Sequence, residues 1–147
     1  MFHRILKTGT SDSEKEWFNV GAYKKVANYA GSIKTVAPRY VESHMKKLLE
    51  WYSSIKQVTV KDIIEFHARF EKIHPFQDGN GRTGRLILNL DLIRNGYPPI
   101  NVKFTDRKRY YDAFDAYYRD GNSSAMSNLI AEYVNKRLDE YFAVLEE

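Results

Sequence analysis

Apolar residues recur at spacings of three and four through most of this chain, and that periodicity favours a mainly helical fold. Amphipathic helices are predicted at residues 38–53, 60–73, 105–120 and 123–145. The second of these follows a Thr59-x-x-Asp62 capping pattern. A further helix is predicted from about Asn80 to Asn95. The sequence therefore indicates an all-α fold.

The helix predicted from Asn80 is apolar around almost its whole circumference. Its apolar residues are Leu86, Ile87, Leu88, Leu90, Leu92 and Ile93. A helix that is hydrophobic on every side belongs in the interior of a protein. We therefore expect this helix at the centre of the fold.

One segment departs from the helical period. Between Gly21 and Ala37, β-branched and aromatic residues flank the sequence Ala30-Gly31-Ser32. Short β-prone runs on either side of a glycine-containing turn are typical of a hairpin. A short β-hairpin is therefore predicted within an otherwise helical domain.

Length and composition exclude several classes of protein. The chain has 147 residues, which suits one domain, and its 43% hydrophobic and 29% charged residues are ordinary for a soluble protein. Apolar runs are too short for a membrane span, and no signal peptide is evident, so a cytoplasmic location is expected. The absence of cysteine excludes disulfides, thiolate–zinc sites and a cysteine nucleophile.

The beginning of the chain leaves its extent open. Residues 1–6 have the pattern of the end of a helix whose beginning is missing. The chain is either the core of a longer parent protein or has a frayed natural N-terminus. Of the histidines, His3 and His44 are predicted at the surface, and His67 lies on the apolar stripe of its helix and is predicted in the core.

The densest chemistry lies in the twelve residues from His74 to Arg85, His-Pro-Phe-Gln-Asp-Gly-Asn-Gly-Arg-Thr-Gly-Arg. Pro75 ends the preceding helix at His74, and Gly79 and Gly81 permit a tight turn. The next helix then begins with unpaired N–H groups and the positive end of its dipole, which attract phosphate.

Side chains at this turn complete a polyphosphate site. Arg82 and Arg85 place two guanidinium groups on one helix face, and each can bind a phosphate with paired hydrogen bonds. Asp78 supplies a hard carboxylate oxygen, which suits Mg²⁺. Asn80 can donate to a phosphate oxygen, and His74 suits a general base. A Walker loop is excluded, because its glycine spacing and its lysine are absent.

The aromatic residues allow two interpretations. Tyr110-Tyr111 and Tyr117-Tyr118 lie in one predicted helix. Aromatic side chains at helical spacing more often belong to the core than to a pocket for a planar ring. Phe76, the apolar residue of the motif, is assigned to the core as an anchor of the loop.

The run from His74 to Arg85 resembles the signature of Fic domains, His-Pro-Phe-x-Asp/Glu-Gly-Asn-Gly-Arg-x-x-Arg, with every fixed position filled. The likeness extends from about Ile5 to the C-terminus and includes the hairpin, the 96–100 segment and Tyr110-Tyr111. It implies one Fic domain over residues 1–147, all-α with a β-hairpin flap over the active site.

The activity that the resemblance implies is protein adenylylation. AMP would move from Mg-ATP to a Tyr, Ser or Thr hydroxyl of a target protein, and pyrophosphate would leave. His74 would be the catalytic base, and Asp78 would hold Mg²⁺. The nucleotide would be bound by Gly79, Asn80, Gly81, Arg82, Arg85, Tyr110 and Tyr111, with Arg82 on the β-phosphate, Arg85 on the γ-phosphate and the tyrosines near the adenine.

The resemblance also implies protein partners. The hairpin at residues 22–37 would hold the target segment as an added strand. Many relatives carry an inhibitory helix with the pattern Ser/Thr-x-x-x-Glu-Gly/Asn, and here the spacing occurs only from Thr10 to Glu14, where Lys15 breaks it. The inhibitor would therefore lie upstream in a longer parent chain, come from a partner protein, or not exist.

Other functions are compatible with the same sequence. The same fold suits a nucleotide-binding regulatory module that acts through protein association, or transfer from a different nucleotide donor. In Doc-type phosphotransferases Ala and Lys stand in place of Gly79 and Gly81, which argues against that variant. Nucleic-acid binding is disfavoured, because the basic residues behind the net charge of +4 are scattered and no recognition motif is present.

Overall fold

Helices dominate the computed structural model, which describes residues 2–31 and 33–145. The α-helices of this part are α1 Phe2–Lys7, α2 Pro38–Ser53, α3 Val60–Ile73, α4 Asn80–Arg94, α5 Arg107–Asp120 and α6 Ser124–Leu145. Short 3₁₀ turns lie at Ser11–Glu14 and Phe104–Asp106. The all-α class with one hairpin is confirmed.

The hairpin consists of two very short strands. Strand β1 is Tyr29–Ala30, and strand β2 is Ile33–Lys34. They pair antiparallel, with Tyr29 opposite Lys34 and Ala30 opposite Ile33. Gly31 turns the chain with a φ of +61°, a conformation that favours glycine. Ser32, the last residue of the predicted turn, lies outside the described residues.

Helix boundaries follow local signals in the sequence. Pro38 occupies the first turn of α2. Backbone N–H groups in the first turn of a helix have no acceptor within the helix, so the N–H that proline lacks costs nothing there. Before α3 the backbone N–H of Thr59 donates to Asp62 Oδ2 at 2.9 Å, and the N–H of Asp62 donates to Thr59 Oγ1 at 3.3 Å. This reciprocal cap confirms the predicted beginning of α3.

Helix α4 is buried on one face only, so the expectation of a fully central helix is wrong. Leu88 and Leu92 are buried, whereas the side chains of Leu86, Leu90 and Ile93 are exposed. The exposed residues follow spacings of four and three, and they therefore form an apolar stripe along one side of the helix. A periodicity argument cannot separate such a stripe from a buried face, because both consist of the same residue types.

The described chain forms two compact units. The first takes in the described residues up to Lys56 together with Arg69–Ile87, and it contains the whole motif from His74 to Arg85. Its buried apolar side chains include Phe18, Val41, Met45, Leu48, Phe70 and Ile73. Most of the polyphosphate site predicted from the sequence therefore belongs to this one unit.

The second unit takes in Gln57–Ala68 and the described residues from Leu88 onward. Its core is built from α3, α4, α5 and α6, and includes Ile63, Ile64, Leu92, Phe114, Met126, Leu129 and Ile130. His67 is buried in this unit, with Nε2 at 2.6 Å from the hydroxyl of Tyr110. The prediction of a core histidine is confirmed. Within residues 2–31 and 33–145, no helix has both the length and the apolar character needed to cross a membrane.

Candidate functional site

His74 ends α3 in an unusual backbone conformation. Its N–H donates to the carbonyl of Phe70 at 3.0 Å, but its φ is +53°. Because proline disfavours helical geometry in the residue before it, Pro75 prevents α3 from continuing. Non-glycine residues with positive φ are uncommon, cost on the order of 1–3 kcal/mol and cluster at functional sites. The predicted end of the helix is confirmed, and it presents His74 at the first residue of the motif.

The imidazole of His74 is held in one tautomer. Its Nδ1 lies 3.2 Å from the backbone carbonyl oxygen of Glu71. A carbonyl oxygen can only accept, so the proton is on Nδ1 and Nε2 carries a lone pair. Burial lowers the pKa of His74, although the bond to the Glu71 carbonyl opposes that effect. A neutral imidazole with an unprotonated Nε2 is the form that can take a proton from a hydroxyl.

The turn after Phe76 depends on glycine and on one buried amide. Gly79 has a φ of +79°, and a Cβ there would lie 3.2 Å from Leu6 Cδ2. The side chain of Asn80 is buried, accepts from the N–H of Phe76 at 2.8 Å and donates to the carbonyl of Phe76 at 2.8 Å. The side chain of Asn80 therefore joins the beginning of α4 to the backbone of Phe76 and fixes the shape of the loop between them. Its predicted contact with a phosphate stays a prediction.

Asp78 lies among cations. The ammonium of Lys7 is 2.6 Å from Asp78 Oδ2 and 2.7 Å from Asp12 Oδ2, and Arg82 Nη2 is 3.1 Å from the same Asp78 oxygen. Lys7 is 3% exposed, whereas the Asp78 side chain is 53% exposed. Partial burial raises the pKa of Asp78, but hydrogen bonds from Lys7 and from the Gly79 backbone hold the pKa below its usual value. The result is an ionised carboxylate with an accessible side.

The chemistry of Asp78 fits a magnesium ion that arrives with phosphates. Among the described residues, no group of three or more His, Asp or Glu side chains could hold a metal. Mg²⁺ is usually bound by one or two carboxylates, with waters and substrate phosphates supplying the other oxygens. A single exposed carboxylate before a phosphate-binding turn meets that requirement.

The two motif arginines differ in their surroundings. Arg82 is half exposed and pairs with Asp78. The guanidinium of Arg85 passes close to Gly81, where a Cβ would lie 3.3 Å from Arg85 Nη1 and 4.0 Å from Glu71 Oε1. Each guanidinium therefore has a carboxylate near it, Asp78 for Arg82 and Glu71 for Arg85. A bound phosphate would share these arginines with the protein's own carboxylates.

His3 packs against the motif loop and hydrogen-bonds to it, a role that the sequence did not predict. Its ring stacks on Phe76, with centroids 3.9 Å apart and planes 6° apart. Its Nδ1 accepts from the N–H of Gly21 at 3.0 Å, so Nε2 carries the proton and donates to the carbonyl of Asp78 at 3.0 Å. His3 is only 2% exposed, so the surface prediction is wrong for His3, while His44 is exposed as predicted.

Lys24 connects the hairpin to the motif loop. Its backbone N–H donates to the carbonyl of Pro75 at 2.8 Å, and its ammonium donates to Asn28 Oδ1 at 2.7 Å and Thr35 Oγ1 at 2.6 Å. Asn28 Nδ2 in turn donates to the carbonyl of Phe76 at 2.8 Å. Burial lowers the pKa of Lys24 to about 8. The flanks of both short strands are therefore fixed to the loop that carries the motif.

Tyr110 and Tyr111 lie in the second unit and have different environments there. Tyr110 is buried, and its hydroxyl contacts His67, so it is part of the core. Tyr111 is half exposed, and the guanidinium of Arg107 lies 5.3 Å from the centre of its ring. The assignment of both residues to an adenine pocket stays a prediction.

Replacing His3 by Ala is expected to lower the free energy of unfolding by about 2–4 kcal/mol, because a buried stacked ring and two partly buried hydrogen bonds are lost. Urea denaturation measures the change. The matched control is His44→Ala, an exposed histidine of the same unit, expected to change stability by less than about 0.5 kcal/mol. Equal stability of the two variants would contradict the supporting role of His3.

Comparison with known sequences gives a consistent result. A sequence model of the Fic/DOC family matches residues 1–92. Protein adenylyltransferase fic-1 of Caenorhabditis elegans is 35% identical over 114 residues, which are 76% of this chain and 21% of that protein. Protein adenylyltransferase Fic of Nematostella vectensis is 32% identical over 127 residues, 84% of this chain and 29% of that protein. The chain thus spans less than a third of the length of these two relatives.

Solved structures agree with the sequence comparison. Fic-1 of C. elegans, residues 134–508, superposes with a TM-score of 0.73 and 25% identity, covering 86% of this chain and 38% of that one. A Fic family protein from Desulfovibrio desulfuricans G20 gives a TM-score of 0.73 and 26% identity over 94% of this chain and 45% of that one.

Proposed function

Because the chain belongs to the Fic/DOC family, we propose that it is a protein adenylyltransferase, which transfers AMP from Mg-ATP to a Tyr, Ser or Thr hydroxyl of a target protein. The observation that carries the proposal is the state of His74. Its Nδ1–H donates to the backbone carbonyl of Glu71, so Nε2 is the basic nitrogen. His74 begins the loop that also carries Asp78 and the glycine turn. Relatives at 32–35% identity are named protein adenylyltransferases.

In the proposed reaction His74 moves one proton. Nε2 takes the proton of the target hydroxyl as the hydroxyl oxygen attacks the α-phosphorus of ATP. A new P–O bond forms there, and the bond between the α-phosphorus and the bridging oxygen breaks. Pyrophosphate leaves with the electron pair of the broken bond, and the proton stays on the imidazole. The enzyme contributes mainly by positioning the reactants and stabilising charge.

The other motif residues bind and orient the triphosphate in this proposal. Asp78 would hold Mg²⁺, which when bound neutralises charge on the phosphates. Backbone N–H groups at Gly79 and Gly81, at the beginning of α4, would donate to phosphate oxygens. Asn80 keeps the loop in the shape that presents them. Arg82 would contact the β-phosphate and Arg85 the γ-phosphate.

The remaining parts of the proposal concern the target and the surroundings of the site. The flap at residues 22–37 would bind a segment of the target as an added strand, and Lys24 would hold that flap against the motif loop. Tyr110 and Tyr111 would lie near the adenine, which requires residues 1–147 to act as one Fic domain. We propose that the activity takes place in the cytoplasm. Any inhibitor of it would be a partner protein or a helix upstream in a longer parent chain.

The proposal is tested by intact-mass spectrometry of the purified chain after incubation with Mg-ATP, alone and with a cell lysate. We expect a protein to gain the mass of AMP, and no gain when EDTA replaces Mg²⁺. A gain of one phosphate would instead indicate phosphotransfer. ATP binding without any mass gain would indicate a regulatory module, and either result would overturn the proposed activity.

A further inference from the structure

A buried carboxyl group lies next to the proposed catalytic base. Glu71 is on α3, one turn before His74, and is only 5% exposed. Its Oε2 is 3.8 Å from His74 Nδ1. Its Oε1 is buried and has no hydrogen-bond partner among the residues that the structure describes. A buried polar atom without a partner costs roughly 1–3 kcal/mol, so packing alone gives no reason for a glutamate at this position.

Glu71 also lies near a cation from the neighbouring helix. A Cβ built on Gly81 would lie 4.0 Å from Glu71 Oε1 and 3.3 Å from Arg85 Nη1. Both charged groups are therefore close to Gly81. Burial raises the pKa of Glu71 to about 7, and the positive charge of Arg85 opposes that rise. Glycine at position 81 leaves the space in which these two side chains approach each other.

We propose that Glu71 is a positioning residue for His74, and that its carboxylate stabilises the imidazolium formed when His74 takes the proton of the target. The inference rests on the proposed function, since it gives a role to the base of that reaction. Glu71 contacts the ring twice. Its backbone carbonyl holds Nδ1–H, and its carboxylate lies 3.8 Å from the same nitrogen.

The contribution of Glu71 arises during the proton transfer. Before the reaction the imidazole is neutral, and its attraction to a carboxylate is weak. Once the proton of the hydroxyl reaches Nε2, the ring is positive and faces a negative charge in a buried site, where electrostatic interactions are stronger than in water. An interaction that is stronger in the transition state than in the ground state accelerates the reaction.

The pair predicts a distinct pH dependence. Glu71 is faced by His74 and by Arg85, and His74 is faced by Lys24 and Asp78 as well. Two coupled groups affect each other's proton uptake. Burial raises the pKa of Glu71 to about 7 and lowers the pKa of His74, so the carboxylate takes up a proton first as the pH falls. The stabilising charge of Glu71 is therefore present above about pH 7 and is lost as the pH falls through that value.

The test is Glu71→Gln, which keeps the shape and removes the charge. Adenylylation of a target or of the chain itself is expected to fall about tenfold at about pH 8, because the charge that stabilises the imidazolium in the transition state is lost. At about pH 6 the two proteins should differ little, because Glu71 of the wild type is then largely protonated and neutral, as Gln is. ATP binding, measured by calorimetry, should not change. The ratio of rates at the two pH values, taken within one preparation, does not depend on the folded fraction.

Thr83→Val is the matched control, because Thr83 Oγ1 is another buried oxygen without a partner in the described part of the chain. It should leave the rate and its pH dependence unchanged. Equal pH profiles for Glu71→Gln and wild type would overturn the role of Glu71. So would an equal loss at both pH values, since that is the mark of a purely structural defect.

NMR titration of the wild-type protein provides a test that needs neither activity nor a variant. The carboxyl signal of Glu71 should titrate with a midpoint near pH 7, and the imidazole signal of His74 should shift in the same transition, because the charge beside the ring changes. An imidazole signal that does not respond to the titration of Glu71 would overturn the inference. If the wild type transfers no AMP yet the imidazole responds in this way, the proposed function fails and the coupling of Glu71 to His74 stands.

Discussion

Replacing His74 by Ala is expected to lower AMP transfer by about 10²–10⁴-fold, the usual contribution of a general base. ATP affinity should change less than about threefold, because the phosphate-binding groups proposed here are the turn, Asp78 and the two arginines. Transfer is measured by intact mass against time, and affinity by calorimetry with Mg-ATP. His44→Ala, an exposed histidine of the same unit, serves as the control and should transfer AMP at the wild-type rate.

The backbone of His74 requires a second variant. Its φ of +53° is strained for most residues, and Ala could lose activity by relaxing the loop. Asn tolerates the left-handed region better, so His74→Asn keeps the backbone conformation and removes the base. If Asn restored transfer to near the wild-type rate, His74 would be a structural residue, and the proposed mechanism would be wrong.

The elements that the sequence predicted correctly are those that depend on local signals. The Thr59–Asp62 cap, Pro75 and the glycine turn each act within a few residues of themselves, so their effects are visible in the pattern. The periodicity of three and four works for the same reason, since it describes the geometry of one helix. It gave the positions of α2 to α6 closely, yet it could not tell that one apolar side of α4 is exposed.

The support of the site could not be predicted, because its contacts are distant in sequence. His3 is 75 residues from the Asp78 carbonyl that it holds, and Lys7 is 71 residues from the Asp78 carboxylate. A histidine and a lysine in a short N-terminal helix suggest solvent exposure until the fold places Phe76 and Asp78 against them. Asn80 shows the same limit within the motif, since nothing in its neighbours indicated that its amide closes the loop.

Glu71 lies between these two cases. It is three residues before His74 on one helix, so the spacing that places them on the same face was visible in the sequence. What was not visible is its burial, which depends on the packing around the turn after Pro75. A charged residue in a helix is usually solvated, and only the structure distinguishes Glu71 from the exposed acidic residues of α2.

Asp78→Asn is expected to lower AMP transfer by roughly 100-fold or more, because charge neutralisation by a bound metal is worth several kcal/mol. The variant keeps the size of the side chain but loses the ionised oxygen that Mg²⁺ requires. In wild type, added Mg²⁺ should tighten ATP binding, and in Asp78→Asn that increase should disappear. Calorimetric titration of ATP with and without Mg²⁺ measures the difference without reference to turnover.

A control separates loss of the metal ligand from loss of the ion pair with Lys7. The Lys7 ammonium binds both Asp78 and Asp12, at 2.6 Å and 2.7 Å. Asp12→Asn therefore removes a carboxylate from the same buried cation but leaves Asp78 ionised. It should keep the effect of Mg²⁺ on ATP affinity. If Asp12→Asn and Asp78→Asn lost that effect equally, Asp78 would act by neutralising Lys7, and magnesium would have to be held elsewhere.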